Sequence, residues 1–403
     1  MISPTPSTAQ PLSARPLDGI VIADFSRVLA GPYATMLLAD MGAEVIKVES
    51  PSGDDTRSWV PPVRPDGVST YYSGINRNKK SVVLDLRNAG DLAAARELAA
   101  RADVVIENFK PGGLRKFGLD YASVKEFNES VIYCSISGFG TAGGASLPGY
   151  DLIVQAMSGL MSLTGDSKGE PYRAGISVFD VMAGLHSTIG ILAALRHRDR
   201  TGEGQNIETS LMASAMSGLV NQTSAYVAGG VTPFRMGNAH PSLFPYEALP
   251  TKDDDLIITA GNNTQFRKLC AVLDVPHLAD DERFADNASR TLRREELRPL
   301  LVERLKTRTA EEWFGKLNEA GVPNGPINTI KQGVEYAQKL GLKPVVQVGT
   351  GAKAVPGVRN PITFSATPAR YDLAPPELGE HTDEIRAWLA IATIPTSSTP
   401  GER

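Results

Sequence analysis

A single carboxylate, Asp180, ends the stretch GEPYRAGISVFD (169–180) and opens the apolar segment VMAGLHSTIGILAALRHR (181–198). A Gly-rich turn followed by an amphipathic run places it at the mouth of a helix, where backbone N–H groups and the helix dipole favour an anion. That position suits a nucleophile, and it equally suits an ordinary helix cap. A carboxylate needs no base to activate it: at an unperturbed pKa of about 3.9 it is ionised at neutral pH, and a helix N-terminus preserves that state. Its modest nucleophilicity calls for a dry pocket and for oxyanion donors, which Gly-rich backbone supplies. Asp151, just after Tyr150, opens a second apolar run, DLIVQAMSGL, where it reads as a cap.

Other chemistries fit less well. A literal G-x-G-x-x-G occurs at Gly138, Gly140 and Gly143, but Gly144, Pro148 and Gly149 prolong the loop where a dinucleotide fingerprint demands an immediate helix. The five histidines, His186, His197, His240, His277 and His381, form no HExxH, and no GxSxG elbow is present, so no metal site and no serine triad is expected. Only His240, in the loop GNAHPS, has a Gly/Pro context that suggests a ligand-facing position. Arg77, Lys79 and Lys80 cluster before a strand-like run and Lys116 follows the loop NFKPGG; such cations suit phosphate groups, or else a solvated turn.

These residues need a scaffold, and the hydrophobic pattern supplies one. GIVIADF (19–25), YATMLLADMG (33–42) and EVIKVES (44–50) read as strand, helix and strand. SVVLDL, DLAAARELAARA and VVIENF repeat the unit, and VIYCSISGF adds another strand. The region to about residue 200 is therefore an open, Rossmann-like α/β sheet with ligand-facing loops at its strand ends. QNIETS reads as a further strand and 210–228 as one long helix, after which Gly229, Gly230, Pro233, Gly237, Pro241 and Pro245 mark a linker. A smaller α/β domain follows, with a strand at 255–261 and helices near 264–274, 292–306 and 309–321, and a closing helix spans 377–390. The expected organisation is a disordered leader at 1–16, a large α/β domain from 17–228, a linker and small domain at 229–330, and a segment from 331–403.

A chain of 403 residues with net charge −4 and interspersed signs offers no basic stripe for nucleic acid. No apolar run reaches about 18 residues, so no membrane span is expected. Cys134 and Cys270 form no metal-type spacing and fit a reducing compartment. The Ser/Thr/Pro-rich start lacks the pattern of a secretory or transit peptide, which makes the cytoplasm the default and the mitochondrial matrix the alternative.

Several ordered segments carry a resemblance. RVLAGPYATMLLADMGAEVIKVESPSGDDTR (27–57), NRNKKSVVLDL (76–86), ENFKPGGLRKFGLDY (107–121), GYDLIVQAMSGLMSLTG (149–165), TGEGQNIETSLMAS (201–214), GVPNGPI (321–327) and LGEHTDEI (378–385) resemble the class III coenzyme A transferases. GDDTRSWVPP (53–62), STYYSGINRNKKS (69–81) and GNAHPSLFPYEALPTKD (237–253) look most like the branch that moves coenzyme A from succinyl-CoA to glutarate. The resemblance implies that Asp180 attacks an acyl-CoA thioester and passes through an aspartyl-CoA thioester, with coenzyme A thioesters as substrates and no tightly bound cofactor. It implies that Val28, Asn108 and Phe109 line the coenzyme A groove, that Asp151 positions nucleophile or acceptor, and that the last segment returns to the first domain of an interlocked homodimer. A family arginine on coenzyme A aligns with Ser50, so Lys47 or Arg57 is expected to substitute. The racemases of the same superfamily carry a histidine where Tyr150 stands and an acid near Asn263, which argues against proton exchange as the activity. For a short dicarboxylate such as glutarate or itaconate, Arg27 and Arg57, with His240, are the expected contacts.

Overall fold

A computed structural model describes residues 15–391; residues 1–14, most of the expected leader, lie outside the described part. Six strands, β1 (Val21–Asp24), β2 (Glu44–Glu49), β3 (Lys79–Val83), β4 (Val104–Glu107), β5 (Ile132–Ser137) and β6 (Gln205–Ser210), form one all-parallel sheet in the order β3-β2-β1-β4-β5-β6. That order reverses between β1 and β4, which creates the crevice where ligands of open α/β sheets bind. The central strands β2, β1, β4 and β5 are rich in Val and Ile because helices cover both faces of a parallel sheet, with Ile22, Val45, Val104, Val105, Ile106 and Ile132 all essentially inaccessible, whereas the edge strand β6, QNIETS, is polar and only part-buried.

The helices of this part are α1 (Ala30–Asp40), α2 (Thr70–Ile75), α3 (Ala89–Arg101), α4 (Tyr121–Lys125), α5 (Asp151–Met157), α6 (Leu160–Leu163) and α7 (Val178–Thr201). The stretch expected as one long helix is two, α8 (Leu211–Gly218) and α9 (Val220–Val227), separated where Val220 adopts φ +38°. Against the expectation of no such run, α7 is long and apolar enough by length and composition to cross a bilayer. In this fold it is a core helix, packed on α1, β5, β6 and α8. Its approach to α1 needs Gly184: a Cβ there would sit 2.6 Å from the Ala30 carbonyl oxygen.

Two compact units emerge. The first comprises the chain up to Ser158, Gly175–Ser224 and the part from Lys343 onward; the second comprises Gly159–Ala174 and Ala225–Leu342. The second unit is a three-stranded antiparallel sheet, β7 (Tyr246–Pro250), β8 (Asp255–Thr259) and β9 (Asn324–Pro326), with α10 (Asn263–Val272), α11 (Asn287–Leu292), α12 (Arg294–Leu305), α13 (Ala310–Glu319) and α14 (Ile330–Lys339). Reciprocal Asn262–Gln265 and Thr309–Glu312 capping boxes start α10 and α13, and Leu256, Ile258, Leu269, Leu301 and Leu317 fill its core. The second unit thus extends past residue 330 through α14 and takes in a short earlier segment, 159–174, that composition did not mark. In the first unit the final segment forms the hairpin β10 (Val345–Val348) and β11 (Val355–Val358), then α15 (Thr382–Ile391), whose Ile385 and Leu389 join the sheet's core beside α3 and β3.

Candidate active site

The crevice at the sheet's reversal point opens into a cavity of about 700 Å³. Its walls come from the carboxyl ends of three strands, the segments at Arg27–Val28 after β1, Asn108–Pro111 after β4 and Ile136–Gly138 ending β5, and from the N-terminal ends of α1, α5 and α7. The Asn108 side chain joins the loops on either side of the reversal: its Oδ1 accepts from the Arg27 N–H at 2.8 Å and its amide donates to the Arg27 carbonyl at 2.7 Å. Of the G-x-G-x-x-G glycines, Gly138 serves close packing, Gly140 adopts φ +82°, and a Cβ on Gly143 would meet nothing within 4 Å. A Cβ on Gly138 would lie 2.3 Å from Gly149 Cα, so the two ends of this loop lie against each other, with Gly138, Gly149 and Tyr150 on the cavity wall.

Asp180 lines the cavity in the first turn of α7, three residues past the cap residue Ser177. The cap donors that the sequence reserves for Asp180 go elsewhere. Asp151, buried at the start of α5, accepts from the Phe179 N–H at 2.8 Å and the Asp180 N–H at 3.1 Å, while the Gln155 amide holds its other oxygen and the Ile176 carbonyl. Asp151 therefore caps α7 and not its own helix: it stands in the first turn of α5, after the cap residue Tyr150, with no side-chain cap hydrogen bond there. Among the described residues no hydrogen bond reaches the Asp180 carboxylate. Burial, with the negative Asp151 beside it, pushes its pKa up to about 7. The ionised state at neutral pH is thus not secured by the helix N-terminus as the sequence suggested. The gain is basicity: a carboxylate poised near neutral pH is a stronger nucleophile than an ordinary one when it is ionised.

Of the other expected site residues, Arg27, Val28, Asn108, Phe109 and Tyr150 all line this cavity. Arg27 is half exposed, 3.5 Å from Asp55 and 5.8 Å from the Phe109 ring centroid. The basic residues chosen for coenzyme A do not line it. Lys47 is fully buried, 2.8 Å from Asp54; Arg77 is committed to Asp40 at 2.7 Å; Lys79 is fully buried and bonds Asp24, the Pro32 carbonyl and Asn76. Lys80 bridges Glu44 and Glu384. Lys47, Arg77 and Lys79 each balance a carboxylate that would otherwise be buried unpaired, whereas the two partners of Lys80 are about half exposed. Arg57 forks onto Glu49 and stacks 3.8 Å from the Tyr72 ring centroid, and it does not line this cavity. Lys116 is exposed over Phe117 and does not line the cavity. His240 belongs to the second unit, where its ring accepts from the Ser242 N–H and packs on Tyr246.

Sequence reasoning missed several wall residues. Trp59 and Tyr71 meet edge to face at 5.2 Å on the cavity wall, which Ser177 at the start of α7 also lines. Both stand in segments quoted above, SWVPP and STYYSG, and an aromatic pair close to charged loops was the available signal. Lys110 and Arg115, exposed in the loop after β4, line a neighbouring cavity of about 500 Å³ that shares Phe109, Lys110, Pro111, Ile136 and Ser137 with the first. They are exposed cations beside the cleft, and Arg115 immediately precedes the Lys116 that the sequence singled out.

Comparisons with known proteins give the family. The family description "CoA-transferase family III" matches residues 17–382. Succinate–glutarate CoA-transferase of Agrobacterium fabrum is 44% identical over 98% of this chain and 100% of its own length. The human succinyl-CoA:glutarate CoA-transferase is 41% identical over 92% of this chain and 85% of its own. A crystal structure of a CAIB/BAIF family protein from Brucella suis superposes with a TM-score of 0.84 at 44% identity, covering 94% of this chain and all of that one. With that match spanning both units, the chain belongs to CoA-transferase family III and is a CoA-transferase.

Proposed function

We propose that this enzyme moves coenzyme A from succinyl-CoA to a short dicarboxylate of the glutarate or itaconate type, with Asp180 as the covalent carrier. The observation that carries the reading is the Asp180 carboxylate: partly buried, without hydrogen-bond donors among the described residues, raised to about 7, and facing a cavity of about 700 Å³. An Asp180 oxygen attacks the thioester carbonyl and expels the coenzyme A thiolate, leaving a mixed anhydride. The thiolate then attacks the Asp180 acyl carbon and releases succinate, leaving an aspartyl-CoA thioester. The acceptor carboxylate attacks that thioester, and the thiolate finally attacks the acceptor's acyl carbon, which restores Asp180. The coenzyme A arm extends along Phe109 into the cavity beside Lys110 and Arg115, which suit its phosphates. Arg27 is the arginine on the cavity wall and the candidate for the acceptor's unreacted carboxylate.

No imidazole lines this cavity among the described residues, and Tyr150 stands where the racemases keep their histidine, so transfer is favoured over α-proton exchange. We further propose a homodimer. Along α7, Leu185 and Ile189 face outward, and in the second unit α14 buries none of its residues while Ile330 is 87% exposed. Two buried, unpaired cysteines suit the cytoplasm. The test is an acceptor screen with succinyl-CoA as donor and mass detection of each new thioester: C4–C6 dicarboxylates should turn over and acetate or formate should be poor, whereas equal rates with acetate and glutarate would assign a different acceptor class.

A further inference from the structure

Val28 adopts φ +67°, a left-handed conformation that a β-branched residue rarely tolerates. Such strain persists only where surrounding groups over-determine it, and here they are all identifiable. On the outer side, Asn108 clamps both backbone groups of Arg27. From beneath, the Asp54 carboxylate accepts the Val28 N–H with both oxygens, at 3.3 and 3.4 Å. Asp54 is itself buried and fixed by Lys47 at 2.8 Å and by the Thr56 N–H and hydroxyl at 2.9 and 2.7 Å. Lys47 also donates to the Ser26 carbonyl at 3.1 Å, one residue before the turn.

We infer that Asp54 is a positioning residue for the transfer reaction: its Lys47-paired carboxylate holds the strained Arg27–Val28 turn in the shape that builds the acyl-CoA side of the cleft. The inference rests on that cleft being the acyl-CoA site. Asp54 is not on the cavity wall, yet its neighbour Asp55 and both residues of the turn are. A carboxylate placed for stability alone had no need to engage the one strained amide of the wall. Without it, Val28 relaxes toward an ordinary extended or helical backbone and swings the Val28 side chain and the adjoining start of α1 out of register with Asp180.

Three variants test this. Asp54→Ala removes the acceptor and the charge, Asp54→Asn keeps an oxygen for the Val28 N–H, and Ser81→Ala weakens the same buried network at Glu49 without touching the turn. The readouts are calorimetric titration with free coenzyme A, KM for succinyl-CoA and for glutarate, Tm, and hydrogen exchange of the Val28 amide. Asp54→Ala should weaken coenzyme A binding and raise the succinyl-CoA KM by about 10-fold while changing the glutarate KM little, with faster exchange at Val28. Asp54→Asn should recover part of the loss, and Ser81→Ala should lower Tm with both KM values unchanged. Asp54 variants that lower Tm yet bind coenzyme A like the wild type overturn the inference, and if Asp54→Ala does not fold, Asp54→Asn alone decides it. A wild type that ignores coenzyme A while Asp54→Ala still frees the Val28 amide would refute the cleft's assignment and leave the latch itself standing as structure only.

Discussion

Two groups of carboxylates lie a few residues from one cleft, and the fold treats them in opposite ways. Asp24, Glu49 and Asp54 sit under the first turn of the crevice with Lys47, Lys79 and Arg57, three acids against three bases. Burial works to raise each acid, but Lys79 and Lys47 outweigh it at Asp24, Arg57 and Lys47 at Glu49, and Lys47 with Thr56 at Asp54, so all three fall below their ordinary values. Asp180 is also largely removed from water, yet among the described residues no base is paired with it; burial and the like charge of Asp151 drive it up to about 7. The difference teaches where this chain keeps structure and where it keeps chemistry. Paired carboxylates fix backbone, and the unpaired one is left reactive.

The sharpest way to break the contrast is to remove each partner in turn. Asp180→Asn, nearly isosteric, should lower turnover by at least ~10³-fold because the amide forms no anhydride; ordinary turnover by pure, folded Asp180→Asn would refute the covalent role. Lys79→Met should act on stability instead, by about 3–5 kcal/mol, because Asp24 is left buried without its cation; a denaturant midpoint equal to wild type would show the pair to be dispensable.

A third test uses sign. A raised carboxylate pKa means that the folded state holds the proton more tightly, so Asp180 contributes stability below the unfolded value of about 4 and loses it as pH rises through about 7. Asp180→Asn should therefore be more stable than wild type at pH 8, on the order of 2 kcal/mol, with the gain shrinking toward pH 5. The paired acids go the other way: their contribution is present above the unfolded carboxylate values and is lost as pH falls through their lowered folded values. Smaller still, Asp151→Asn should move the acid limb of the kcat/KM profile about one unit downward by removing the like charge, and an unmoved limb would show that Asp180 does not report on Asp151. Arg27→Ala, at a half-exposed cation, should raise the acceptor KM roughly 5-fold and the donor KM less.

Much of this was legible in the sequence. Strands β1 and β4 announce themselves as apolar runs, while β6 is the polar QNIETS, and Asp180 is visible because a Gly-rich turn meets a long apolar segment. What was not legible depends on partners far along the chain. Lys47, Arg77 and Lys79 look like phosphate ligands until the fold brings Asp54, Asp40 and Asp24 against them. The N–H groups at the start of α7 look reserved for Asp180 until Asp151, on another helix, takes them. β7 hid behind a Gly/Pro-rich stretch and gains its ladder only by pairing with β8, while α14 carries Gly333 within its short span and was read as the start of a return segment. Its Thr329–Gln332 capping box was a readable start signal that went unused.

The central claim is that Asp180, alone of the cleft's carboxylates, carries the acyl group and then coenzyme A. The direct measurement is to incubate the enzyme with succinyl-CoA in the absence of acceptor, quench with hydroxylamine and map the modified peptide by mass. A hydroxamate at Asp180, absent from a control without succinyl-CoA, is the predicted result; a hydroxamate at Asp151 or Asp55, or none on an enzyme that turns over normally, would contradict it.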